Sequence, residues 1–145
     1  MKSVTPDYIL DPAVPYGTID DKNGLKLIDI IRNGIHFRTF WRFAHTIPFT
    51  LNDWSSYLHV SERTMQRYQS EQKTFDPLQS EKIIEIALLF KKGSEVWGDS
   101  DKFHSWLDTE SIALGKIKPK SLLDSSIGIQ MLNDEIGRIE YGVLA

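Results

Sequence analysis

Five times along this chain a residue suited to start a helix stands directly before an apolar pattern of helical period: Thr50, Ser61, Asp76, Asp99 and Ser125. The first backbone N–H groups of a helix have no intrahelical partner, so a side-chain oxygen at that position fixes where the helix begins. Asp53, three residues after Thr50, supplies a capping-box-like start; Asp76 is followed by Pro77 at the first helical position and Gln79 at the third. No stretch alternates apolar and polar residues as a strand would, so the fold class expected is all-α.

The apolar spacings predict the elements. Leu25, Leu27, Ile28 and Ile31 mark a first helix stopped by Asn33-Gly34 in the left-handed conformation. Residues 36–45 form the next, with Phe37, Phe40, Trp41 and Ala44 on one face and Pro48 beyond its end. Helices over 50–58 and 62–70 follow. A longer one opens at Pro77 and runs past Phe90 toward Trp97, with Gly93 a weak point inside it. Asp99 starts a short helix bearing Phe103, Trp106 and Leu107. An irregular stretch over 108–118 precedes a one-turn helix from Pro119 over Leu122 and Leu123. The last helix carries Ile129, Leu132, Ile136 and Ile139 on one stripe. Residues 1–23, with Pro6, Pro12, Pro15 and Gly17, read as an extended, poorly ordered arm.

A net charge of -3 hides an uneven distribution. Residues 1–23 hold 2 basic and 4 acidic side chains, residues 24–75 hold 7 and 4, and residues 76–145 hold 8 and 12. A modestly basic segment on an acidic body suits a small DNA-reading module and argues against indiscriminate nucleic-acid binding. The chain has no cysteine, which excludes disulfides, thiolate nucleophiles and Cys-based zinc sites and fits a reducing compartment. Neither a signal peptide nor a membrane span is evident, so a cytoplasmic location is expected.

Residues 51–70 have the pattern of a helix-turn-helix, two short helices crossing steeply over apolar contacts with a polar face on the second. Trp54, Leu58, Val60, Met65 and Tyr68 fall at the crossing, and Ser55 is small where the helices approach. Glu62, Arg63, Thr64, Gln66, Arg67 and Gln69 form the outward face. Arg and Gln make bidentate contacts to guanine and adenine edges, while Ser61 and Thr64 suit phosphates near the helix start. His59 occupies the turn position where Gly is usual, because the backbone there has positive φ. A plain helical hairpin with a solvated face is the alternative on this pattern alone.

From Phe75 onward the marks become specific: Ser80-Glu81-Lys82, then Val96-Trp97-Gly98-Asp99, Phe103, Trp106-Leu107, Ala113-Leu114-Gly115, Pro119-Lys120-Ser121-Leu122-Leu123-Asp124, Gly128, and Gly137-Arg138-Ile139-Glu140-Tyr141-Gly142. This order resembles the Xre/MbcA/ParS-like antitoxins of bacterial toxin-antitoxin operons, particularly those paired with RES-domain toxins, over roughly residues 24–145. The resemblance implies a helix-turn-helix lobe at 24–75, a toxin-binding lobe at 76–145 and a homodimer. It implies as partners operator DNA, through which the operon is autorepressed, and a NAD-degrading RES toxin whose active site the C-terminal region covers. The toxin contacts so implied are Leu114, Gly115 and Lys116 in the loop, and Arg138, Glu140, Tyr141, Val143, Leu144 and Ala145 at the end. Trp97, Lys82 and residues 108–111 depart from the usual Phe, Arg and Pro-Asn pair.

The ending supports this on physical grounds, since an amphipathic helix running into an apolar terminus should dock on something. Tyr and Arg are common interface anchors, and Gly142 releases the helix so that residues 143–145 can reach across. Val143 and Leu144 plugging the protein's own core with Tyr141 at its rim, and Arg138 with Glu140 forming an exposed local pair, are the plainer alternatives. His36, His45, His59 and His104 lack metal-ligand spacing, and nucleophile and phosphate-cradling motifs are absent. No catalysis, cofactor or membrane partner is therefore expected. A stand-alone dimeric helix-turn-helix repressor is the competing function.

Overall fold

The computed structural model describes residues 5–11, 14–18 and 23–142. Its α-helices are α1 (Pro6–Leu10), α2 (Gly24–Asn33), α3 (Phe37–Ala44), α4 (Leu51–Leu58), α5 (Glu62–Glu71), α6 (Pro77–Trp97), α7 (Ser100–Leu107) and α8 (Ser126–Glu140), with short 3₁₀ turns at Tyr16–Thr18 and Pro119–Leu122. The fold class is all-α, as expected; among the described residues only isolated bridges, His36 with Thr74 and Ser111 with Ile117, stand in for sheet. The chain divides into two compact units, Met1–Ala87 and Leu88–Ala145. The division falls inside α6, not ahead of it at residue 75, because the first turns of α6 are tied to the N-terminal unit. Ser80, fully buried, accepts the Ile35 N–H at 2.9 Å and donates to the Phe75 carbonyl at 3.3 Å.

The N-terminal unit is built around an aromatic cluster. Phe40 meets Trp54 edge-on at 5.0 Å and Phe75 at 5.1 Å, and Phe37, Phe43, Phe49 and Tyr57 extend the cluster through further pairs. Such edge-to-face pairs add directionality to area burial and fix how α3 and α4 cross. Gly34 ends α2 at φ 83° and ψ 155°: the positive φ expected of the glycine is there, but ψ lies far from the left-handed helical value. The chain turns there so that Ile35 can accept the Phe75 N–H and Phe37 can donate to Lys73. A Cβ at this position would collide with the Phe75 carbonyl oxygen.

The expected arm is not uniformly extended. Pro6–Leu10 is helical, capped by Thr5, and buries Ile9 and Leu10 as it packs on α3. Two adjacent aliphatic side chains with a receptive helix nearby are enough to order one turn, which the proline-rich composition concealed. The Asp7–Arg42 pair beside it is well exposed and contributes little.

In the C-terminal unit, Phe103 of α7 is fully buried between the rings of Phe90, Trp97 and Trp106. It presses against the backbone of Gly93, where a Cβ would overlap the ring. Gly93 is therefore a close-approach position within an unbroken α6, and not the weak point its intrinsic propensity suggests. Ile129, Leu132 and Ile136 of α8 are buried, with Ile139 half-buried. Gly128 passes so close to the Leu122 carbonyl that any larger residue would clash.

Candidate functional site

The helix-turn-helix geometry is set by its caps. Thr50 and Asp53 form a reciprocal capping box, each side chain accepting the other's backbone N–H at 3.0 Å. α4 then stops at His59, φ 58° and ψ 40°, the left-handed conformation expected there. The Val60 N–H donates to Ser55 and the His59 N–H to Ser56, which closes a Schellman motif and turns the chain sharply into α5. Trp54, Ser55, Leu58 and Met65 are buried at the crossing, and Val60 and Tyr68 are half-buried.

On α5 the side chains of Glu62, Arg63, Gln66 and Arg67 are exposed and neighbouring around the helix. Ser61 and Thr64 are placed differently. The Ser61 hydroxyl accepts the Thr64 N–H at 3.0 Å and donates to the Thr64 hydroxyl at 2.9 Å, and Thr64 is half-buried. Both hydroxyls are thus engaged in building the helix start. Lys73, just past the end of α5, stands 6.0 Å from the Tyr68 ring, as does the Arg67 guanidinium, and pairs with Glu71 at 3.3 Å.

In the C-terminal unit, residues 111–117 make a closed turn. Ser111 donates to the Ile117 carbonyl at 2.9 Å and accepts the Lys116 N–H at 2.7 Å, with Gly115 and Lys116 both at positive φ. Its base is clamped by Asp108, which contacts Lys120 at 2.9 Å and Lys118 at 3.5 Å. The Lys120 ammonium, with Lys118 behind it, holds the Asp108 carboxyl below its ordinary range. Gly115 and Lys116 are exposed and Leu114 half-buried, while Ile112 stands 85% exposed on the same turn.

Along α8, helical spacing separates the candidate residues. At 100° per residue, Ile127, Met131, Asp134, Arg138 and Tyr141 lie within about 40° of one line, and all are exposed. Glu140 is exposed but lies off this stripe, so it is not grouped with Arg138 and Tyr141. Nor is it Arg138's ionic partner: Arg138 bonds Glu135 at 2.8 Å. Ile127 and Met131 were missed because an apolar residue in an amphipathic helix reads as core until the buried face is known. Val143, Leu144 and Ala145 lie outside the described residues. Among the described residues no group of three or more His, Asp or Glu side chains could hold a metal ion, and no helix is long and apolar enough to cross a membrane.

Both surfaces fall inside known domain families. Residues 26–88 match the Antitoxin Xre-like helix-turn-helix domain, and residues 92–142 match the Antitoxin Xre/MbcA/ParS C-terminal toxin-binding domain. The chain is similar to an Antitoxin Xre of Yersinia enterocolitica, 30% identical over 87 residues, an alignment that spans 59% of either protein. It is also similar to an Antitoxin Xre of Photorhabdus laumondii, 26% identical over 148 residues and 100% of both chains. With α4 and α5 inside the first matched domain, α8 inside the second, and the two in the same chain, this protein belongs to the Xre antitoxin family.

Proposed function

We propose that this protein is the antitoxin of a bacterial type II toxin-antitoxin pair whose toxin is a RES-domain enzyme that degrades NAD. In this reading the C-terminal region covers the toxin's active site, and α5 of a homodimer represses the operon from the cytoplasm. The observation that carries it is the exposed stripe of α8. A helix with one face fully committed to its own core presents a second, amphipathic face, and that face lies within the matched toxin-binding domain and leads directly to residues 143–145. Tyr and Arg, two of the side chains on it, anchor interfaces more often than most.

The test is co-purification with the product of the neighbouring reading frame, followed by NAD consumption with and without this chain. A stable complex with suppressed NAD loss supports the proposal. A complex that leaves NAD loss unchanged refutes occlusion, and no complex alongside salt-sensitive promoter binding makes the protein a plain repressor. Truncation after Gly137 keeps the buried Ile129, Leu132 and Ile136; it should leave a folded protein that no longer protects cells from the co-expressed toxin, and survival of those cells would refute the mechanism.

A further inference from the structure

Glu135 and Arg138 are one turn apart on α8 but live in different surroundings. Glu135 is 8% exposed, at the edge of the buried face. Arg138 stands on the outward stripe, its side chain 46% exposed. The Arg138 Nε–H and an Nη2–H both donate to Glu135 Oε2, at 3.0 and 2.8 Å. Placing a carboxylate there is unfavourable for the fold taken alone, because an apolar side chain of similar volume buries with less desolvation. The arrangement does constrain the arginine, whose long side chain otherwise samples many rotamers. It occupies the Nε/Nη2 side of the guanidinium and leaves Nη1 for another acceptor.

We propose that Glu135 is a positioning residue, which touches no partner itself and holds the Arg138 guanidinium so that its Nη1 side meets a carboxylate on the toxin. The inference rests on the reading that this protein binds a toxin through α8. Ordering an arginine before binding removes an entropy loss otherwise paid in the complex, equivalent to about two- to tenfold in affinity.

The experiment is a double-mutant cycle on the dissociation constant, measured by calorimetry against the RES-domain protein from the neighbouring reading frame. E135Q should weaken binding by about two- to tenfold, and R138A by on the order of 30-fold. The double variant should bind no more weakly than R138A. In the free protein, the Arg138 Nε–H resonance should exchange slowly with water and lose that protection in E135Q. R138K leaves Glu135 in place and keeps the charge without the fork, and should bind close to R138A. Equal weakening by E135Q in both backgrounds, or wild-type affinity for R138K, overturns the proposal while the toxin reading stands. Absence of any wild-type complex overturns both.

Discussion

Gly93→Ala is a substitution for which local and tertiary physics predict opposite signs. In the interior of α6, exchanging glycine for alanine should stabilise by about 1 kcal/mol, through helix propensity and a less flexible unfolded chain. In the folded protein the added methyl overlaps three atoms of the Phe103 ring. That ring cannot swing aside. Phe90 stands edge-on at 5.3 Å, Trp97 is tilted at 5.2 Å and Trp106 stacks at 5.9 Å. Overpacking of an enclosed site costs about 1–3 kcal/mol, and with the ring hemmed in the upper end applies. The net is a loss of about 2 kcal/mol, or roughly 4–8 °C in melting temperature for a chain of this size. Gly137→Ala is the control, since a Cβ there meets nothing within 4 Å and α8 should gain about 0.5–1 kcal/mol. Both are read by thermal and urea denaturation followed by circular dichroism. A G93A protein as stable as the wild type would refute the claim that α7 is seated against the α6 backbone.

Ser80→Ala should destabilise by about 1–3 kcal/mol, because it leaves the buried Ile35 N–H without its acceptor; urea midpoints and accelerated exchange of that amide would check it. Replacing both Arg63 and Arg67 by Ala should abolish operator binding, yet leave toxin neutralisation intact, as a promoter-shift assay and a co-expression assay would read. Asp108 has a folded-state pKa below its ordinary 3.8, so its contribution to closing the 111–117 turn is fully present above that value and is lost as pH falls through the lowered one. Asp108→Asn should therefore remove that acid-side change in amide exchange across the turn while altering little else.

The start of nearly every helix was legible in the sequence, because a cap acts on backbone groups within three residues and needs nothing from the rest of the chain. Ser61, Asp99 and Ser125 each accept an N–H of their own first turn, and Asp76 with Gln79 forms the reciprocal box. The left-handed His59 was legible for the same reason, since the turn geometry dictates it locally. The exposed face of α5 followed from the apolar spacing of Met65 and Tyr68.

Contacts between segments distant in sequence were decided by tertiary structure alone. Ile9 and Leu10 turn a proline-rich stretch helical only because α3 lies against them. Gly93 changes from weak point to packing site because of Phe103, and the unit boundary moves into α6 because Ser80 reaches back to Ile35. On α8, periodicity alone groups Arg138 with Tyr141 and sets Glu140 apart, but the pairing of Arg138 with a nearly buried Glu135 required knowing which side of the helix the core takes. Local hydrogen bonding and helical period are short-range and therefore written residue by residue. Burial is a property of what packs opposite, and only the assembled structure supplies that.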